Sequence, residues 1–259
     1  MSLKTLDKAL ELLEYFKKKP SWGVRELAKE MELSLTVTHR LLATYKNHGY
    51  IIQNSETQRY ELGVKFLEFS SLLKDKFKFT DFLAPNMEKL AKETAETIFL
   101  TWLDGSEGVS IAVAESSQSI KVAFDIGKRK PLHSGASNRI ILAYLPEDEQ
   151  NKILGGELER VTKYTMTDPE ELRKSLVDMR RQGWGYTLGE ATLDVVGIAV
   201  PLFDCSNRVI GSLAVAGPVY RIPEKKVTEI LEALLKEKEA VQSKIDELGL
   251  TYTQLKKHL

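Results

Sequence analysis

The strongest constraint on this chain is a change of period within its first 63 residues, from helical spacing to alternation. Residues 5–18 place Leu6, Ala9, Leu10, Leu13 and Phe16 on one face of a helix, and Pro20-Ser21-Trp22-Gly23 ends it. VRELAKEM follows with Leu27, Ala28 and Met31 at helical spacing, and Glu32-Leu33 turns the chain. Ser34 is a good N-cap for a third helix that runs to about His48, with Gly49 where a helix-stopping glycine belongs. YIIQ and RYELG, on either side of NSETQ, then alternate as a two-stranded hairpin. Three helices and a hairpin in this order read as a winged helix-turn-helix, and the order is more specific than any single part.

In such a unit the third helix buries one side and presents the other to base edges in the major groove. Thr38, Leu41, Leu42 and Tyr45 fall on one side, with Thr36, Arg40, Ala43 and Asn47 opposite and His39 beside them. The candidate DNA contacts are therefore Ser34, Thr36, His39, Arg40 and Lys46. Arg25 at the start of the second helix, and Gln58 and Arg59 in the wing, are candidates for backbone or minor-groove contact. A solvated helix face would look the same in isolation; the second helix, the turn and the wing favour the DNA-facing reading. The 37 Lys and Arg balance the 37 Asp and Glu, so the molecule is no basic coat for nucleic acid. Residues 1–65, however, hold 11 basic against 8 acidic side chains, a balance of +3, and the remainder carries −3. This modest asymmetry favours the N-terminal part for phosphate contact.

Residues 64–80 read as a helix with Val64, Phe66, Leu67, Phe69, Leu72 and Leu73 on more than one side. Two roles fit equally: a linker at a dimer interface, or a helix packed on its own domain. From 81 onward the pattern changes again. Asp81 can cap a helix through about Thr94, and TIFLTWLDG with GVSIAVAES forms a hairpin around Asp104-Gly105. SIKVAFDIG reads as a further strand, and Ser134 as the opening of a helix that ends at Pro146. TDPEELRKSLVDMRRQG is a helix capped by Thr167 or Asp168, with Pro169 near its first turn. GWGYTLGE, GIAVPLFD and RVIGSLAVAG are strands, the last two joined by a turn at Asp204-Cys205-Ser206-Asn207, and Pro223 begins a final helix to about Leu248. The expected class is α+β: a winged helix-turn-helix over 1–63, a linker helix over 64–80, and an antiparallel sheet with flanking helices over 81–259.

His133-Ser134-Gly135-Ala136-Ser137 is small, polar and at a helix start, where unpaired amides and the helix dipole suit a carboxylate. A closely packed helix cap is the alternative, and His133 serves equally as a ligand contact or a structural histidine. Trp102 and Trp184 read as core aromatics. Cys205 is the single cysteine, which excludes an internal disulfide framework and a multi-cysteine zinc site. No GxSxG elbow, GxxxxGK[ST] loop or HExxH helix is present, and the four histidines lack metal-ligand spacing. No enzyme activity, cofactor or metal is therefore expected. No apolar run approaches the roughly 18 residues needed to cross a bilayer, and there is no signal peptide, so a cytoplasmic protein without a membrane partner is expected. Two functions remain: a ligand-responsive DNA-binding regulator, or a metabolite-binding or catalytic module whose N-terminal helices make protein contacts. The second leaves Arg25, Arg40, Lys46 and Arg59 without a role.

TLDKALELLEYF, VRELAKEMELS, THRLLATYKNHGYI and RYELG resemble the IclR family of transcriptional regulators, as do GKRKPLHSGAS, LAYLPEDE, TDPEELRKSLVDMRRQGW, GIAVPLFD and LAVAGP with RIPEKKV. The resemblance covers nearly the whole chain. It implies a GAF-like C-terminal domain that binds a small effector, often an organic acid or aromatic metabolite. It also implies a homodimer formed through the N-terminal part, often a homotetramer, on a palindromic operator in double-stranded DNA. It places the effector pocket at His133, Ser134, Gly135, Ala136 and Ser137, and along Thr187, Glu190 and Gly197. The chain departs from the family at Ser34-Leu35-Thr36, where Pro-Lys-Ser is frequent, and at Thr38, usually a small aliphatic residue. It departs again at Asp194, where glycine is frequent, and at Glu190, which stands in for an acidic pair.

Overall fold

A computed structural model describes residues 3–76, 78–249 and 252, with the side chains of 73–79 outside that description. The 64–80 and 81–259 segments read from the sequence therefore extend in part beyond the described residues. The chain divides into two compact units, residues 1–77 and 78–259.

The first unit contains helices α1 (Lys4–Tyr15), α2 (Val24–Glu30), α3 (Leu35–Asn47) and α4 (Lys65–Lys76), with strands β1 (Ser21–Trp22), β2 (Ile51–Gln53) and β3 (Tyr60–Leu62). The strands form one antiparallel sheet in the order β1-β3-β2. Strand β1 lies inside the segment read from the sequence as a simple break: Trp22 pairs with Tyr60, and its ring is buried in the core. Leu12, Phe16, Leu27, Leu42 and Ile51 join it there. The apolar face expected for α1 needs correction. Leu12 is the fully buried position, while Leu6 and Leu10 are 53% and 55% exposed. Phe16 is buried and Ala9 and Leu13 pack partly against the core, so the inward face runs through Ala9, Leu12, Leu13 and Phe16 and leaves Leu6 and Leu10 outside it. Helix α4 packs Phe66 and Phe69 against Tyr50, with ring centroids 5.5 and 6.0 Å away, and leaves Val64, Leu67 and Leu72 exposed.

The second unit is an antiparallel sheet covered on both faces. Its strands are β4 (Thr97–Asp104), β5 (Glu107–Ala114), β6 (Arg129–Pro131), β7 (Gly185–Leu188), β8 (Val195–Phe203) and β9 (Val209–Pro218). They pair in the order β6-β5-β4-β9-β8-β7. Helices α5 (Lys78–Thr94) and α9 (Glu224–Glu247) pack together and against β4, β5, β8 and β9. Helix α6 (Ala136–Tyr144) packs on the sheet and against α8 (Pro169–Gln182), and α7 (Glu147–Leu154) lies between them in sequence. Double coverage explains why β8 and β9 read as near-continuous apolar runs, since side chains on both faces are buried. No described helix is long and apolar enough to cross a membrane.

Three expectations for this unit are corrected. SIKVAFDIG is not a strand: residues 119–127 form no ladder, although Gly127 N–H donates to Ser110 O of β5 at 2.7 Å, and the edge beside β5 is taken by β6. The alternation there has another purpose. Val122 is buried, and Phe124 stacks on Phe99 at 4.0 Å, so the segment covers the sheet without joining it. Asp81 does not cap α5, which begins three residues earlier, and instead sits in its first turn. Helix α6 opens at Ala136 rather than Ser134, because Gly135 takes the cap position at φ 82°, a conformation open to glycine and strained for other residues. For α8 the open choice of cap resolves to Asp168, whose carboxylate accepts from the amides of Glu170 and Glu171, both at 2.9 Å.

Candidate functional site

In the first unit, Glu32 at φ 52° makes the tight turn between α2 and α3. Ser34 then caps α3, its hydroxyl accepting from Val37 N–H at 3.3 Å. Burial of Thr38, Leu41 and Leu42 fixes the rotation of α3, and the Thr38 hydroxyl is satisfied by Ser34 O at 3.1 Å. Thr36, His39, Arg40 and Lys46 are left exposed, as is Arg25 at the start of α2. Arg40 takes part in no salt bridge among the described residues, whereas Lys46 reaches Gln53 Oε1 at 3.3 Å. Gln58, at φ 57° in the wing turn, donates to Ser55 O at 2.7 Å. Arg59 is placed differently from the other candidates. Its guanidinium points inward, donating to Ser21 Oγ, Ser21 O and Glu26 Oε2, each at 2.9 Å, and so ties β3 to β1 and α2.

In the second unit a cavity of about 50 Å³ lies between the sheet and the start of α6. Of the residues proposed for ligand contact, Gly135, Ala136, Ser137, Thr187 and Gly197 line it. His133, Ser134 and Glu190 do not. His133 is buried, with Nε2 2.8 Å from Glu159 O. Ser134 directs its hydroxyl to Glu190 O at 3.4 Å. The Glu190 carboxylate pairs with both terminal nitrogens of Arg139, a side chain 2% exposed. Arg139 also donates to His133 O at 3.2 and 3.0 Å, so these residues hold the loops beside α6 together.

A carboxylate on the amides of Ser134 to Ala136 meets an obstacle. Ser134 N–H donates to Pro131 O at 3.0 Å, and Ala136 N–H donates to Thr187 Oγ1 at 2.9 Å. Two of the three amides are thus used within the protein. The positive charge comes from elsewhere, since Lys128 and Lys130 line the cavity and no Asp or Glu does. Lys130 Nζ donates to Ala191 O at 2.9 Å. Burial, with a smaller push from Lys128, holds its ammonium below the usual lysine range, so a bound anion would be welcome there. Phe99 and Phe124 form an apolar wall, and Thr101, Ser110 and Asn138 supply polar groups. Sequence reasoning missed all of these. GKRKP contained the lysine signal, and Asn138 directly follows the small-residue stretch, but only the fold brings Phe99, Thr101 and Ser110 beneath α6.

A winged helix-turn-helix with a capped, outward-facing third helix, in one chain with a sheet domain holding a small cationic cavity, defines the class of two-domain helix-turn-helix proteins. Residues 5–55 match the IclR helix-turn-helix domain model, and residues 75–243 match the model for the bacterial transcriptional regulator IclR C-terminal domain. The chain belongs to the IclR family of transcriptional regulators. It is 30% identical to the HTH-type transcriptional regulator KipR of Bacillus subtilis over 88% of this chain and 92% of that one. It is 31% identical to the HTH-type transcriptional regulator KdgR of Escherichia coli over 90% and 89%. Among solved structures it is similar to the Thermotoga maritima IclR, with a TM-score of 0.74, 28% identity and 96% and 100% of the two chains covered. An IclR homolog from Microbacterium hydrocarbonoxydans, solved with 4-hydroxybenzoate, shares the fold at a TM-score of 0.78 and 21% identity, covering 94% and 99%.

Proposed function

We propose that this chain binds a palindromic operator in double-stranded DNA as a homodimer or homotetramer, and that a small organic acid or aromatic metabolite in the second unit changes that affinity. The observation that carries the reading is the rotation of α3: Thr38, Leu41 and Leu42 are buried, and Thr36, His39 and Arg40 face outward from a Ser34-capped start. That is the presentation a groove-reading helix needs. Arg25, Lys46 and Gln58 are exposed nearby in the sequence order of a winged unit and are assigned backbone contact. Arg59 is assigned to holding the wing in place rather than to phosphate. The exposed Leu3 just before α1, Leu6 and Leu10 in it, Val64 just before α4, and Leu67 and Leu72 in it support self-association through the N-terminal part. Effector binding would act by shifting the population of DNA-competent arrangements. Footprinting of genomic DNA with the purified protein locates the operator. Titration of that site at increasing salt then tests the reading, which expects log affinity to fall linearly and steeply with log salt. Affinity insensitive to salt would favour the alternative, a metabolite-binding module with protein-contacting helices.

A further inference from the structure

Strand β6 disposes of its two cations in opposite ways. The Arg129 guanidinium meets the carboxylates of Asp104 and Glu107. Lys130, the next residue, points to the cavity side of the sheet, as alternation along a strand requires. It pairs opposite Gly108 of β5, so no side chain crowds its stem on that strand. Its Nζ donates to Ala191 O at 2.9 Å and stands 3.5 Å from Thr192 Oγ1. Neither partner is charged, and Lys130 enters no ion pair among the described residues. No Asp or Glu lines the cavity, and its other charged residue is Lys128. No negative charge there holds the proton on the amine, while burial and, less strongly, Lys128 favour its loss. Lys130 is half-buried, and Lys128 and Thr192 are exposed at the rim, so the nitrogen is open to a molecule entering from solvent. Desolvation beside a second cation is how a lysine is readied to attack a carbonyl carbon.

We propose that Lys130 forms a Schiff base with a small aldehyde that enters this cavity. The step is a condensation. The amine lone pair attacks the carbonyl carbon, a carbon–nitrogen bond forms, and the carbon–oxygen bond breaks. Both amine protons leave with that oxygen as water, and nothing is oxidised or reduced. Size limits the class of aldehyde. One water needs roughly 10–15 Å³ of such space, and the cavity offers about 50 Å³, enough for a short aldehyde and not for a chain of many carbons. Phe99 and Phe124 give its alkyl end an apolar wall. The proposal rests on the ligand-binding role of the second unit and adds a covalent bond to it, which an anion held by charge alone does not make.

Reductive trapping on the intact chain tests this. The folded protein is mixed with dilute propionaldehyde and a mild hydride donor that reduces imines and spares aldehydes. Fragment mass spectrometry then assigns the adducts lysine by lysine over time. Lys128, exposed and two residues away, is the internal control. Lys130 should be trapped about tenfold or more faster than Lys128, which takes only a modest fall in barrier. The same reaction in strong urea should remove the difference, because the fold creates it. Equal trapping of the two lysines in the folded chain, no adduct at Lys130, or a preference that survives urea would overturn the proposal. Operator titration at increasing salt on the same preparation separates the two readings. Salt-steep DNA binding without preferential trapping removes this proposal alone. Preferential trapping without DNA binding removes the regulator reading alone.

Discussion

Helices α3 and α6 each begin with a run of small and polar residues, and they dispose of them in opposite ways. In α3 the polar residues Thr36, His39 and Arg40 face solvent, and only Thr38 is buried, its hydroxyl satisfied by the helix itself. In α6, Ser137, Asn138 and Arg139 are all buried, and each must find partners inside the unit. Exposed polar groups cost nothing while they wait for an external partner, so α3 can hold a whole face in reserve. Buried ones cannot wait, and Arg139 is accordingly tied to Glu190 and His133 O. What stays unsatisfied in a buried set therefore says more about a ligand than what lies open on a surface.

The largest effect should come from the buried arginine. Arg139→Ala removes one partner of a buried ion pair and strands Glu190, which costs about 3–5 kcal/mol. Chemical denaturation followed by Trp102 and Trp184 fluorescence, which report on the second unit, measures it. Arg40→Ala, at an exposed site, should change stability by no more than about 0.5 kcal/mol. Similar costs for the two arginines would break the comparison.

The exposed helix should matter for binding instead. Arg40→Ala together with Thr36→Ala should weaken operator binding about 10- to 100-fold, roughly the worth of one or two direct contacts, and leave folding unchanged. Fluorescence anisotropy with the footprinted duplex reads the change, and unaltered affinity would remove α3 from the interface.

These two helices also show what was legible in the sequence. The α3 face followed from spacing alone, because a short helix on a small core has one buried side and one free side. Cap residues such as Asp168 and turn residues such as Asn207, at φ 59°, were equally local signals. The rest of the cavity wall was not legible. The start of α6 with Thr187 and Gly197 was named from the sequence, but Thr101 and Ser110 lie on strands that only the order β5-β4-β9-β8-β7 brings beneath Asn138. The 119–127 segment misled for a related reason: alternation signals one buried face, and a covering segment has that face as surely as a paired strand does. His133 and Ser134 looked like ligand groups because small and polar residues cluster there, and Glu190 because of the family resemblance, yet their partners are loop carbonyls and Arg139.

A third arginine sharpens the contrast within the first unit. Arg59 reads from the sequence as a candidate for DNA-backbone or minor-groove contact, and the structure turns it onto Ser21 and Glu26. Both side chains of the ion pair are more than a third exposed, so solvent discounts it. Arg59→Ala should then cost about 1 kcal/mol of first-unit stability. The slope of log operator affinity against log salt should stay as in the wild type. A drop of nearly one in that slope would return Arg59 to the DNA interface.

Asp194→Gly should have the smallest effect of all, and it concerns backbone rather than charge. Asp194 precedes β8 at φ 58°, in the left-handed region that L residues adopt at a cost. Its carbonyl accepts from Val219 N–H at 2.9 Å, so the conformation is held by the sheet and not chosen by the side chain. Asp194→Gly relieves the strain but loosens the unfolded chain, and the two should nearly cancel, within about 0.5 kcal/mol. Asp194→Val meets the strain in full and should cost about 1–3 kcal/mol. Thermal unfolding of the pair measures both, and a valine as well tolerated as glycine would mean that backbone geometry does not govern this position.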